Sequence, residues 1–337
     1  MKKLLFRLAF IFSFAVLFNG CFKTKRNPLS EKLNIVCTIY PEYDWVQSIV
    51  GKDYVDVTNT LLIKGGTDLH SFQPSVNDII QISTCDLFIY IGGESDTWVE
   101  AAISEAKNPD MKVLCLMDVL KGSLREETLV EGMQDDEEEE EEDGHTESIH
   151  HHDEDEIEYD EHIWLSVKNA IKCVKAITNA VVELDPSHQE KYRSNEEGYL
   201  AELQLIDREY ERAVQAAPQK TIIVCDRFPF LYLTEDYGIN YYAAFKGCSA
   251  ETEASFETVV FLANKVNELD IKNVIVLDSS NQKLAKTVIQ NSKKNKCGII
   301  VLDSMQSTTL DQAFKGKSYA ATMTKNLTEL KKALCLN

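Results

Sequence analysis

The sequence has no Cys-x-x-Cys pair, no His-Glu-x-x-His and no Gly-x-Ser-x-Gly. These absences remove the zinc knuckle, the helix-borne metalloprotease site and the serine nucleophile elbow. Basic residues are scarce: 35 Lys and Arg stand against 55 Asp and Glu, for a net charge of −20. Without clustered cations there is nothing to neutralise phosphates, so nucleic-acid binding is excluded as a function class. A good transmembrane run is also lacking. The most apolar stretch, Leu4 to Phe18, is short and broken by Arg7 and Ser13. What is present is 337 residues with 44% hydrophobic content, enough for one large or two medium cores.

The first residues stand apart from those cores. Met1-Lys2-Lys3 supplies a positive start before the apolar run, the pattern of a secretory signal over 1–20. The run ends in Leu17-Phe18-Asn19-Gly20-Cys21, which resembles a bacterial lipobox, although Phe18 and Asn19 depart from its strict form. Cys21 is therefore the expected lipidation residue. Acyl chains at about 0.8 kcal/mol per buried CH₂ would hold the protein to a membrane, with residues 21–32 as the tether.

The negative charge is concentrated. Residues 131–161 carry 18 acidic side chains and no Lys or Arg, so the rest of the chain is nearly neutral. This segment holds six consecutive Glu (137–142), then His145, His150, His151 and His152 among acids. Such a composition cannot bury apolar area, and it reads as a disordered acidic and His-rich loop interrupting a folded domain. Its imidazoles suit auxiliary metal capture; a solvated spacer is the plain alternative. Beyond Cys21 the cysteines sit mostly in apolar runs, as small buried hydrophobes do. Cys248 with Cys297 is the one disulfide candidate, and a weak one.

Two halves repeat one pattern. Short β-rich runs lie at 33–40, 55–62, 87–92 and 113–117, and again at 221–226, 239–245, 274–278 and 299–303. Helical periodicity fills the gaps, for example at 42–50 and 76–82. Apolar strands between amphipathic helices predict an α/β fold: two βα sandwich lobes with parallel-type sheets, covered on both faces. The lobes are expected at 33–184 and 217–337. Between them Asp185-Pro186-Ser187 signals a helix start, and Leu200, Leu203, Leu205 and Ile206 fit one long amphipathic helix over 185–216. About thirty residues of helix span ~45 Å, so it joins the lobes stiffly and favours small adjustments over wide closure.

Four residues are candidates for metal chemistry. His70 lies in a loop, Gly65-Gly66-Thr67-Asp68-Leu69-His70-Ser71-Phe72-Gln73-Pro74-Ser75, between a strand and a helix. His162 lies where the acidic loop rejoins the fold, in Asp160-Glu161-His162-Ile163-Trp164-Leu165-Ser166. Asp226 and Asp278 each close an apolar strand, where α/β sheets place ligands. Capping of the following helix is the equally ordinary role for such an aspartate.

The two histidine motifs together resemble the metal-binding solute-binding proteins of zinc and manganese ABC importers, the cluster A-I binding-protein family. The resemblance spans residues 33–335 and extends to Gly92-Gly93-Glu94 with Trp98, to Gly247 through Ser255, and to Asn273 through Ser280. It implies a metal between the lobes held by His70, His162 and Asp278. It also implies a third ligand, usually histidine, after the first strand of the second lobe. Here the chain reads Asp226-Arg227-Phe228-Pro229-Phe230-Leu231-Tyr232, with Arg227 at the histidine position, and a guanidinium has no lone pair to donate. Asp226 is the favoured substitute, with Glu251, Glu253 or water as the others. Imidazole and carboxylate suit Zn²⁺, with Mn²⁺ as the alternative.

The resemblance implies a monomeric binding protein, not an enzyme, on the outer face of the bacterial cytoplasmic membrane, with an ABC importer permease as partner. A surface adhesin of the same fold and a secreted metallohydrolase are the competing classes. One expectation follows from the leader alone. Cys21→Ser should move the protein from membranes to the soluble exported fraction. Persistence in the membrane pellet after salt and carbonate washing would exclude the lipid anchor.

Overall fold

A computed structural model describes residues 32–51, 55–64, 66–134, 158–249, 253–293 and 296–336. The leader with Cys21, loop residues His145, His150, His151 and His152, and Glu251 lie outside the described residues.

All eight expected strands form, in two sheets of the same plan. The first half runs β1 (Leu33–Cys37), α1 (Tyr40–Val50), β2 (Val57–Leu61), α2 (Val76–Thr84), β3 (Leu87–Tyr90), α3 (Val99–Ser104), β4 (Lys112–Cys115), α4 (Leu116–Val119) and α5 (Val167–Leu184). A long helix follows, α6 (Gln189–Ala216). The second half runs β5 (Thr221–Phe228), α7 (Leu231–Tyr237), β6 (Asn240–Lys246), α8 (Phe256–Glu268), β7 (Asn273–Leu277), α9 (Lys283–Asn291), β8 (Gly298–Leu302), α10 (Leu310–Phe314) and α11 (Tyr319–Ala333). Strand order is β2-β1-β3-β4 in one sheet and β6-β5-β7-β8 in the other, parallel throughout. Among the described residues no helix is long and apolar enough to cross a membrane.

Strand alternation explains how each sheet is covered twice. Val36 and Phe88 face an outer cluster with Leu62, Ile82 and Val99. Their neighbours Ile35, Cys37, Leu87 and Ile89 face inward. In the second sheet Ile223, Cys225, Val274 and Val276 face outward, while Ile222, Val224, Ile275 and Leu277 face inward. This is the period of two that sends successive side chains to opposite faces. The inward faces of both sheets belong to one continuous cluster that also takes in Leu203, Ile206, Tyr210 and Val214 of α6. Leu205 was expected on that stripe but is 52% exposed. At about 100° per residue it lies two steps round from Leu203, on the far side of the helix.

The lobes share more than the long helix. The C-terminal helix α11 packs on α6 and reaches α1 of the first lobe. Its first residue, Tyr319, is fully buried with its ring edge-on to Trp45 at 5.2 Å. The Tyr319 hydroxyl donates to the Trp164 carbonyl (2.7 Å), and its backbone N–H donates to Asp44 Oδ2 (2.9 Å). Trp164 Nε1 donates across to the Ser304 carbonyl (2.9 Å), and the Tyr40 hydroxyl to the Lys317 carbonyl (2.6 Å). Four polar contacts therefore cross between the halves through buried ground. Tyr319→Phe leaves the Trp164 carbonyl without its donor and should cost about 1–3 kcal/mol, read as a lower urea midpoint at unchanged slope.

Candidate metal centre

His70 and His162 come from segments 92 positions apart and meet at their ring nitrogens, with Nε2 to Nε2 at 3.2 Å. His70 lies in the single 3₁₀ turn Leu69–Ser71, after β2. Asp68 starts that turn, its Oδ1 accepting the His70 N–H at 3.1 Å. Further on, Ser75 and Asp78 cap α2 reciprocally and close the loop. His162 precedes the turn Ile163–Leu165 and is completely buried.

Each ring is aimed by its other nitrogen. His162 Nδ1 lies 3.1 Å from Asp160 Oδ1, which also accepts the His162 N–H at 2.7 Å. Asp160 is itself held: its carbonyl accepts the Tyr232 hydroxyl (2.7 Å) and its N–H donates to the Arg125 carbonyl (2.9 Å). His70 Nδ1 lies 2.8 Å from Ser95 Oγ. The Ser95 N–H donates to Glu161 Oε1 (2.7 Å), so the residue before His162 helps place His70. Two glycines make this packing feasible. A Cβ on Gly93 would come within 2.5 Å of Glu161 Oε1, and one on Gly247 within 3.1 Å of the His162 ring.

The hydrogen bonds determine the tautomers. Asp160 accepts from Nδ1–H of His162, leaving a lone pair on its Nε2. Gln306, in the loop after β8, supplies the partner: its Nε2 lies 2.8 Å from His162 Nε2 and 3.0 Å from His70 Nε2. With the Gln306 amide donating one N–H to each ring, both imidazoles turn an Nε2 lone pair to the same point. Two nitrogens each about 2.0–2.1 Å from a tetrahedral ion stand ~3.3 Å apart. The observed 3.2 Å is that edge.

Burial pushes the His70 imidazole down to about 3, helped by His162 and the Arg227 guanidinium and opposed by Asp68. Burial works the same way on His162, but the Asp160 carboxylate, with Glu161 and Glu127, outweighs it and raises the group above its usual range. His70 is thus neutral at physiological pH and free to donate electrons.

Cys248, just after β6, completes the cluster: ligand atoms of His70, His162 and Cys248 all lie within 4.8 Å of one another. It is not joined to Cys297. Cys297 precedes β8 whereas Cys248 follows β6, so the pair sits at opposite ends of a parallel sheet. The two aspartates singled out from sequence are engaged elsewhere. Asp226 sits at an irregularity in β5, with Oδ1 accepting the Arg227 N–H (3.0 Å) and Oδ2 the Leu277 N–H (3.3 Å). Asp278 Oδ1 accepts the N–H (3.0 Å) and hydroxyl (3.3 Å) of Ser304. Neither carboxylate is in the His70, His162 and Cys248 group. Glu253 is exposed, 3.8 Å from Lys283 Nζ. Arg227 crosses the cleft to Asp68 Oδ2 (2.5 Å) and donates weakly to the Ser249 carbonyl (3.4 Å). Sequence reasoning missed Gln306 as a site residue, because an amide in a loop carries no ligand signal. Cys248 was visible only as a disulfide candidate.

Comparison with known proteins shows the family of the chain. The family model described as "ZnuA: Zinc-uptake complex component A periplasmic" matches residues 35–333. The zinc-binding lipoprotein AdcA of Streptococcus pneumoniae is 30% identical over 304 residues, 89% of this chain and 55% of that protein. The chain therefore spans little more than half the length of that relative. The high-affinity zinc uptake system protein ZnuA of Bacillus subtilis is 31% identical over 317 residues, 94% of this chain and 92% of its own. Among solved structures, the Zn(II)-bound ZnuA-like domain of S. pneumoniae AdcA superposes with a TM-score of 0.68 at 27% identity, covering 90% of this chain and 99% of that one.

The opposed shifts of the two rings can be read directly. In metal-free protein, side-chain ¹⁵N signals of His70 should stay in the neutral form from pH 7 down toward about 3, while His162 protonates above the ordinary histidine range. The folded His70 binds its proton less readily than the unfolded one. It therefore lowers stability as pH falls from about 6.5 toward about 3, and His162 acts in the opposite sense. A His70 that titrates near 6.5 would contradict the buried, neutral ring.

Proposed function

Since the chain belongs to the zinc-uptake complex component A family, we propose that it captures a divalent metal ion outside the cytoplasm and hands it to an ABC importer permease, with zinc as the cargo. The observation that supports this reading best is the convergence of two imidazole Nε2 atoms, 3.2 Å apart, inside the fold. Imidazole donors rank zinc ahead of manganese, the alternative cargo, because manganese prefers oxygen ligands. His70 and His162 are the primary ligands in this proposal. Asp278 would enter through the oxygen that Ser304 does not hold, and Asp226 by giving up its bond to Leu277 or to Arg227.

Cys21 anchors a monomer by its acyl chains, and the His-rich segment with His145 and His150 to His152 gathers zinc loosely for the buried site. A binding role rather than catalysis follows from the same donors. Both imidazoles point at one enclosed position, with Gln306 directly against them, whereas a catalytic zinc keeps an open coordination site for water.

Native mass spectrometry with elemental analysis, on the chain from residue 27 onward, tests the proposal. One zinc should bind tightly, and His70→Ala or His162→Ala should lower that affinity by about two orders of magnitude or more. Deleting 134–159 should keep the tight ion and lose only weakly held zinc. Stoichiometric iron, or no metal after loading with zinc and manganese, would overturn the reading.

A further inference from the structure

Cys248 is the residue whose position the capture reading leaves without a role. Its Sγ shares a space under 4.8 Å across with ligand atoms of both histidines. The loop that carries it is fastened on both sides. The Cys248 N–H donates to Glu127 Oε1 of the first half (3.1 Å). The next carbonyl, of Ser249, accepts from Arg227 (3.4 Å), which itself is clasped to Asp68. Before it, Gly247 has no side chain to intrude; a Cβ there would press on the Phe228 carbonyl at 3.0 Å and on the His162 ring at 3.1 Å. These contacts hold the thiol beside the two imidazoles, and the Glu161 backbone also hydrogen-bonds its sulfur.

We propose that Cys248 is a metal ligand, making the centre a two-histidine, one-thiolate site whose fourth position falls to the Gln306 amide. This rests on the capture reading above and narrows its cargo to thiophilic ions, Zn²⁺ and its soft congeners, against Mn²⁺. As the ion binds, the thiol releases one proton to solvent and its sulfur lone pair forms the S–metal bond. The amide of Gln306 now directs N–H groups at both rings; turning about its last torsion, it offers Oε1 to the ion instead. One thiolate against a dication leaves a net positive centre. Burial and the carboxyl groups of Glu127, Asp160 and Glu161 push the free thiol's pKa up, so it is the dication that draws off the proton, and the same carboxyl groups then balance the net positive centre.

Loading the full-length chain with Co²⁺ or Cd²⁺ tests the ligand directly. The parent should show a near-ultraviolet thiolate-to-metal charge-transfer band. Cys248→Ser and Cys248→Ala should abolish it, weaken zinc binding by about tenfold or more, and narrow the preference for zinc over manganese. Cys297→Ser should keep the band. A parent without the band, or a Cys248→Ser protein that retains it, overturns the thiolate ligand. If His70→Ala still abolishes zinc binding in that case, the capture reading stands alone. Zinc binding unchanged in His70→Ala would remove the capture reading and this proposal together.

Discussion

Two imidazole Nε2 atoms 3.2 Å apart repel wherever both carry lone pairs, and the surrounding structure is organised to hold them there. Asp160 fixes one ring, and Ser95 with Glu161 fixes the other. Gly93 and Gly247 leave room for groups that any Cβ would displace. In the absence of a cation, the two N–H bonds of the Gln306 amide meet the electron pairs. An amide hydrogen carries a fraction of a charge, whereas a divalent ion carries two. The same geometry that the amide makes tolerable is what an ion makes favourable.

That geometry depends on the two halves keeping their relative position, since His70 and His162 belong to the first lobe and Gln306 and Cys248 to the second. A shared apolar cluster threads both sheets and α6. Trp164, Tyr319 and Tyr40 then tie the halves with buried hydrogen bonds. Arg227 and Asp68 close the side of the cleft nearest His70. Separating the lobes means breaking these contacts together, which is costly in a low-dielectric interior.

Arg227 shows how one substitution redistributes roles. At the position where the family resemblance implies a histidine, the guanidinium cannot ligate, so it becomes a clasp. Asp226 beside it does not swing into the cleft, because its two oxygens are spent on the Arg227 and Leu277 backbone amides. Asp278 is likewise bound to Ser304. Beside the two Nε2 atoms stand the Gln306 amide and, within 4.8 Å, the Cys248 sulfur.

The sequence by itself determined the frame. Alternating apolar runs with helical segments between them specified two parallel βα sheets and a long helix, since side-chain periodicity is a local property of a few consecutive residues. The motifs around His70 and His162 marked two candidate site residues through their resemblance to a known binding-protein family, because each motif is a short run of consecutive residues. Which of Asp226, Asp278, Cys248 and Gln306 stands beside those rings was decided only by tertiary structure. Four residues at comparable strand ends look alike along the chain. Their distances in space depend on sheet twist, on a one-residue irregularity in β5 and on which backbone amides claim each carboxylate. None of these leaves a signature in residue type or spacing. Leu205 makes the same point on a smaller scale: its composition suited the buried stripe, and only the helix phase, set by packing against both lobes, turned it outward.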